Sequence, residues 1–116
     1  ALTYPSRLKG TLKPLDFTEL SKLEFSTPRL ADFPALSLAR TAGLTGGTLP
    51  AVLNAANEVA VASFRAGKIR FPEIWATVAS VMESHETVTN PTLGQILSAD
   101  RGSRVAAKQF THACGE

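Results

Sequence analysis

Few side chains in this sequence have the type and spacing that catalysis requires. His85 and His112 lie far apart, and neither belongs to an HxxxH or CxxC pattern, so metal ligation is not indicated. Glu73, Glu83 and Glu86 lie around one predicted helix and its end. Two such carboxylates can serve acid–base catalysis, but a solvated helix face is the commoner reason for them. We therefore predict no catalytic residue and no metal ligand.

A glycine-rich turn, Thr45–Thr48, precedes the longest helical pattern. The amide groups at the start of a helix can hold an anion. This turn lacks the lysine of a Walker loop and the GxGxxG pattern of dinucleotide-binding folds. We interpret it as a tight turn and predict no cofactor-binding residue.

The element that must position everything else is a helix predicted over Leu49–Gly67. Thr48 is the expected N-cap, with its hydroxyl on a free amide of the first turn, and Pro50 suits that turn. Gly67 suits a left-handed C-terminal cap. One face is apolar and includes Leu53, Ala56, Ala60 and Phe64, broadened by Val52, Val59 and Ser63. A helix of this kind typically runs through the middle of a bundle.

Asn57 is the oddity of this helix, because it lines up with Leu53, Ala60 and Phe64. A buried amide must be hydrogen-bonded, and buried polar groups mostly bond to backbone. We therefore predict that Asn57 ties the helix to a neighbouring loop, in preference to a ligand contact. Asn57 joins Thr48 as a residue with a predicted structural role.

Three further helices are predicted around the central one. The first begins near Pro34 and ends at Gly43 or at the Gly46–Gly47 pair. The next begins at Pro72, and Trp75 is the structural residue on its apolar stripe. The last is capped by Thr92 and weakened by about 1 kcal/mol at Gly102. Its expected core contacts are Leu93, Ile96, Leu97, Val105, Ala106 and Phe110.

Residues 1–30 have a different character from the rest. Their prolines break regular elements, which leaves at most a short helix around Asp16 to Leu20. Their many leucines and phenylalanines argue against a free linker and favour an arm that lies on another surface over a disordered terminus. We predict an all-α fold: an extended arm over residues 1–30, a helical bundle over 31–111 and a tail over 112–116.

Composition sets limits on the class of protein. The 116 residues are the size of one domain, and a formal charge of +2 without a basic block is weak support for nucleic-acid binding. Cys114 alone cannot form an internal disulfide, which favours a reducing compartment. No apolar run approaches the roughly 18 residues of a membrane span, and no signal peptide is visible. Because the sequence opens at Ala1, we expect processing or a piece of a longer protein.

Several spaced motifs resemble one enzyme family. LNAANEVAV at 53–61 and AGKIRF at 66–71 are similar to the C-terminal region of 1-deoxy-D-xylulose 5-phosphate reductoisomerases. So are KPLDFTEL at 13–20, LEF at 23–25 and FPALSLAR at 33–40. ALTYPSRL at 1–8 resembles the family's stretch that follows the central catalytic domain. TLGQILSAD at 92–100 resembles the family's last helix. The resemblance covers residues 1 to about 110 in the family's order.

The resemblance implies an enzyme that rearranges and reduces 1-deoxy-D-xylulose 5-phosphate to 2-C-methyl-D-erythritol 4-phosphate in non-mevalonate isoprenoid biosynthesis. That enzyme is a homodimer and uses NADPH with Mg, Mn or Co, in the bacterial cytoplasm or the plastid stroma. Its NADPH-binding and catalytic domains precede the part that this chain matches. The chain is expected to be an inactive structural domain whose partners are those domains, and to bind no cofactor, nucleic acid or membrane itself.

Two other functions stay open at this point. A stand-alone helical adaptor would also have an arm that binds a partner. A nucleic-acid-binding bundle is disfavoured because the lysines are scattered along the chain rather than clustered.

Overall fold

The computed structural model describes residues 3–6 and 8–113. Within them the chain forms five helices and no strand, so the all-α prediction is confirmed. The helices are α1 (Phe17–Leu20), α2 (Ala35–Thr45), α3 (Leu49–Arg65), α4 (Phe71–Ser84) and α5 (Leu93–Ala113).

Helix α3 is the centre of the bundle, because it packs against α2, α4 and α5. Its buried face carries Leu49, Val52, Ala55, Ala56, Val59 and Ala60. Across from it lie Val78, Val81 and Met82 of α4 and Ala107 of α5. Leu53 and Phe64 flank this face instead of forming its middle, since Leu53 is half-buried and Phe64 is exposed. The apolar face is thus rotated from the predicted one by about one residue.

The ends of α3 and α4 follow local sequence signals. Gly67 has φ +70° and follows the last turn of α3, as predicted, and the amides of Gly67 and Lys68 bond to the carbonyls of Phe64 and Ser63. Helix α4 begins at Phe71 with Pro72 in its first turn. The carboxylate of Glu73 accepts from the backbone N–H of Arg70 at 2.6 Å and closes that start.

Helix α5 presents a different face from the predicted one. Leu93 is 72% exposed and Val105 57% exposed, and Leu97 is exposed as well, so these three predicted core contacts are wrong. The buried positions are Ser103, Ala107 and Thr111. Small side chains are buried here because α5 packs against the alanine-rich face of α3, where close approach excludes large residues.

Helix α5 is continuous through Gly102, since packing on α3 outweighs the weak helix propensity of one glycine. One further expectation for α5 needs correction. His112 and Ala113, predicted to begin the tail, are still helical. Cys114 and the rest of the predicted tail lie outside the described residues.

Candidate functional site

The N-terminal arm, for which we use residues 8–30, exposes most of its large apolar side chains. Leu12 is 87% exposed and Phe25 is 89% exposed. The others are Leu8, Leu15, Phe17, Leu20, Leu23 and Leu30. Helix α1, which lies in the arm, contacts none of the helices α2 to α5. Apolar side chains at this density gain stability only when another surface removes them from water.

Polar contacts fix the local shape of the arm while its apolar side chains face solvent. Asp16 caps α1, and its Oδ1 accepts from the backbone N–H of Thr18 at 2.8 Å and from the Thr18 hydroxyl at 2.6 Å. These bonds lower the pKa of Asp16 below its ordinary value. Lys13 pairs with Glu19 at 2.9 Å. The short helix predicted around Asp16 to Leu20 is therefore confirmed.

A second feature is the junction between the α2–α3 turn and the α4–α5 loop. The backbone N–H of Thr48 donates to the carbonyl of Val88 at 3.1 Å, and the N–H of Val88 donates to the Thr48 hydroxyl at 3.1 Å. The same hydroxyl lies 2.8 Å from Nε2 of His85. Gly47, at φ +59°, allows this approach, because an added Cβ would overlap the Val88 carbonyl oxygen.

The predicted side-chain cap by Thr48 is wrong. Thr48 does immediately precede α3, but its hydroxyl makes no bond to an amide of the first turn. Its backbone is already helical, at φ −81° and ψ −15°, whereas a capping side chain needs an extended backbone. The hydroxyl joins α3 to the loop after α4, and Thr48 is 1% exposed.

An ion-pair network links α3 to α5. Arg104 bonds to both carboxylate oxygens of Asp100, at 2.9 and 3.1 Å, and reaches Glu58 on α3 at 2.7 Å. Asn54 donates to Glu58 at 3.0 Å. Hydrogen bonds from Arg104 hold the pKa values of Asp100 and Glu58 below their ordinary values.

This network was missed in the sequence. The i,i+4 spacing of Asp100 and Arg104 was the available signal for half of it. The contact between Arg104 and Glu58 depends on how α5 packs against α3, and the local sequence around either residue does not predict that packing.

Asn57 does not have the predicted environment. Its side chain is exposed and makes no hydrogen bond within residues 3–6 and 8–113, so the predicted burial and the predicted tie to a loop are wrong. Asn57 shares an edge with half-buried Leu53, beside the rotated core face. Trp75 is half-buried and contacts Phe71 edge-on, with ring centroids 5.2 Å apart. Phe71 contacts Phe64 in the same manner at 5.7 Å.

The described residues hold no cluster that fits the metal which the resemblance implies for the whole enzyme. No group of three histidine, cysteine, aspartate or glutamate side chains among them could hold a metal ion. Gly47 lies against the backbone of Val88, whereas an added Cβ at Gly46 would meet nothing within 4 Å. No helix in this part of the chain is long and apolar enough to cross a bilayer.

Comparison with known proteins assigns this architecture to a family. The family model described as "DXP reductoisomerase C-terminal domain" matches residues 1–106. The chain belongs to the DXP reductoisomerase family. The 1-deoxy-D-xylulose 5-phosphate reductoisomerase of Halothermothrix orenii is 46% identical over 113 residues, which are 97% of this chain and 29% of that protein. That of Symbiobacterium thermophilum is 51% identical over 109 residues, 94% of this chain and 28% of that protein.

A solved structure of a family member has the same fold. The reductoisomerase from Zymomonas mobilis in complex with NADPH superposes with a TM-score of 0.79 at 36% identity. The match covers 95% of this chain and 29% of that one. The chain thus spans less than a third of the length of the reductoisomerases that it matches and corresponds to their C-terminal domain.

Proposed function

We propose that this chain acts as the C-terminal structural domain of a reductoisomerase. The enzyme would convert 1-deoxy-D-xylulose 5-phosphate to 2-C-methyl-D-erythritol 4-phosphate with NADPH and a divalent metal, for isoprenoid biosynthesis. Its NADPH-binding and catalytic domains are the partners of this chain, and the assembled enzyme is a homodimer. The relatives come from bacteria, which supports the bacterial cytoplasm rather than a plastid as its location.

The arm is the observation that carries this proposal. Its leucines and phenylalanines are exposed, and α1 rests on no other helix. Burial of one large apolar side chain contributes about 1.5–3 kcal/mol. Burial of several arm side chains against a host would therefore contribute more to binding than isolated polar contacts would. The relatives contain more than twice as much sequence outside the matched region as within it. That sequence is the natural host for the arm.

The chain is proposed to be inactive by itself. Reduction of a phosphosugar by NADPH requires a cofactor site, an electrophile that polarises the carbonyl and groups that hold the phosphate. Among the described residues, no group of three histidine, cysteine, aspartate or glutamate side chains could hold a metal ion as that electrophile. The catalytic groups are therefore assigned to the host.

Binding to a truncated relative tests the proposal. The Symbiobacterium thermophilum enzyme, shortened by the segment that this chain matches, is titrated with the chain in a calorimeter. We expect one chain to bind per truncated subunit. Leu12→Asp should weaken binding at least tenfold, because a charge replaces an apolar contact in the arm.

Thr11→Asp is the matched control. It adds the same charge at the neighbouring exposed position, where no apolar side chain is lost. If both variants weaken binding equally, the effect comes from the added charge alone, and the apolar side chains of the arm do not contribute to the interface. Absence of binding by the unmodified chain would favour the alternative, a stand-alone helical adaptor with an unrelated partner.

A further inference from the structure

Helix α2 lies at the edge of the bundle and buries little of its surface. Among the described helices it packs against α3 and α4 alone, and Ala42 is its one buried residue. Leu38 is half-buried against the same core. A helix of eleven residues has little stability of its own, so it depends on the surfaces that cover it. The bundle covers only one side of α2.

The outer face of α2, which carries Leu36, Arg40 and Leu44, is exposed and largely apolar. These residues lie at i, i+4 and i+8, so they share one face of the helix, and that face points away from Ala42. Leu36 is 52% exposed and Leu44 is 75% exposed. Apolar side chains that form a continuous exposed patch often mark a contact with another protein surface.

A hydrogen-bonded turn joins the arm to this outer face. The backbone N–H groups of Asp32 and Phe33 both donate to the carbonyl of Arg29, each at 3.0 Å. The Arg29 guanidinium pairs with Asp32 at 3.1 Å and lies over the Phe33 ring, 5.8 Å from its centroid. Leu30 and Phe33 are exposed, so apolar side chains continue from the arm across the turn into α2. The turn holds the end of the arm and the start of α2 in one arrangement.

Helix α5 also exposes leucines, but it differs from α2 in two respects. Its 21 residues bury Ser103, Ala107 and Thr111, and it packs against both α3 and α4. Its exposed Leu93 follows the loop after α4 and has no continuity with the arm. Single exposed leucines on a well-packed helix are ordinary in folded proteins. Helix α5 therefore provides a control and not a second docking face.

We propose that the arm and the outer face of α2 form one docking surface, covered by an apolar surface of the NADPH-binding and catalytic domains of the same protein. This inference rests on the reductoisomerase function proposed above. The relatives contain more than twice as much sequence outside the matched region as within it, which is enough to supply that surface. The host therefore lies on the α2 side of the bundle and leaves the exposed face of α5 free.

Calorimetric titration of the truncated Symbiobacterium thermophilum enzyme with variants of the chain tests this placement. Leu36→Asp should weaken binding at least tenfold, because the aspartate would lose its hydration against an apolar surface. Leu44→Lys should weaken binding by a similar factor. An aspartate in the first turn and a lysine in the last turn both suit the helix dipole, so α2 should stay folded.

Two features of this design separate the loss of apolar contact from an effect of charge. The variants Leu36→Asp and Leu44→Lys add opposite charges, so attraction or repulsion by a charged host cannot weaken both. Leu93→Asp is the matched control, because it places an aspartate in the first turn of α5 at an exposed leucine. It should bind as the unmodified chain does.

Hydrogen exchange of the unmodified chain gives a test that needs no substitution. On binding, the amides of α2 should exchange more slowly, while those on the exposed face of α5 should keep their rates. Unchanged binding by Leu36→Asp and Leu44→Lys, equal weakening by Leu93→Asp, or slower exchange in α5 without a change in α2 would overturn this inference and leave the proposed function intact. No binding by the unmodified chain would instead remove the proposed function, and this inference with it.

Discussion

Gly47→Ala is the substitution that most directly probes the junction between the α2–α3 turn and the α4–α5 loop. Gly47 has φ +59°, and a Cβ added there would overlap the carbonyl oxygen of Val88. It would also lie 3.0 Å from the Val88 carbonyl carbon and 3.1 Å from Cα of Thr89. All three are backbone atoms, so no side-chain rotation relieves the contact. The loop must move away from the start of α3.

The expected cost has two parts. A left-handed backbone at a residue with a Cβ costs about 1–2 kcal/mol. Displacement of the loop also breaks the two hydrogen bonds between Thr48 and Val88, at about 1 kcal/mol each. The free energy of unfolding should therefore fall by about 3–4 kcal/mol, a large share of the stability of a domain this size.

Gly67→Ala is the matched control, because Gly67 has φ +70° but nothing within 4 Å of an added Cβ. It should lose only the backbone part, about 1–2 kcal/mol. Urea denaturation, followed by the fluorescence of Trp75, the one tryptophan, measures both variants. Equal losses for Gly47→Ala and Gly67→Ala would refute the close contact with Val88.

Three further predictions concern single side chains and are measured by the same denaturation assay. Gly102→Ala should raise the free energy of unfolding by about 0.5–1 kcal/mol, since the helix is continuous there and an added Cβ meets nothing within 4 Å. A lower free energy of unfolding would contradict the open space around Gly102. Thr48→Val should lower the free energy of unfolding by about 1–3 kcal/mol, because the Val88 amide loses its acceptor. Thr48→Ser retains the hydroxyl and should lower it less. Equal losses for the two variants would contradict the hydrogen bonds of the Thr48 hydroxyl. Arg104→Gln should destabilise the chain at pH 7. Asp100 and Glu58 have lower pKa values in the folded state than in the unfolded state, where these values are near 4, so their ionised carboxylates stabilise the fold at pH values above about 4. This stabilisation is lost as the pH falls through the folded-state pKa values. The variant and the parent should therefore have similar stability in acid. A difference that persists undiminished at pH 2 would contradict the ion-pair origin of the effect.

Local sequence signals predicted the ends of the helices well. Gly67 ends α3 and Pro72 lies in the first turn of α4, because proline and glycine restrict the backbone regardless of what packs around them. The buried face of α5 could not be predicted in the same manner. There the closeness of α3 decides burial, and small Ser103 and Ala107 are buried while larger Leu93 is exposed.

Contacts between distant residues explain the remaining errors. Thr48 and Val88 are 40 positions apart, so the partner of the Thr48 hydroxyl could not be read from the turn before α3. Asn57 was assigned to the core because it aligns with Leu53, but a rotation of the face by about one residue places it in solvent. The arm was expected from composition alone, and its apolar side chains are exposed because large apolar side chains between prolines have nowhere to pack within one short segment. That the arm lies on another surface stays a prediction.

Oxidation of NADPH in a reconstituted mixture tests the proposed role of the chain most directly. The 116-residue chain, the truncated Symbiobacterium thermophilum enzyme and an equimolar mixture of the two are each given 1-deoxy-D-xylulose 5-phosphate, NADPH and Mn²⁺. We expect turnover from the mixture that exceeds the turnover of the truncated enzyme, and none from the chain alone. Turnover by the chain alone, or a mixture no more active than the truncated enzyme, would contradict a structural domain that completes a reductoisomerase.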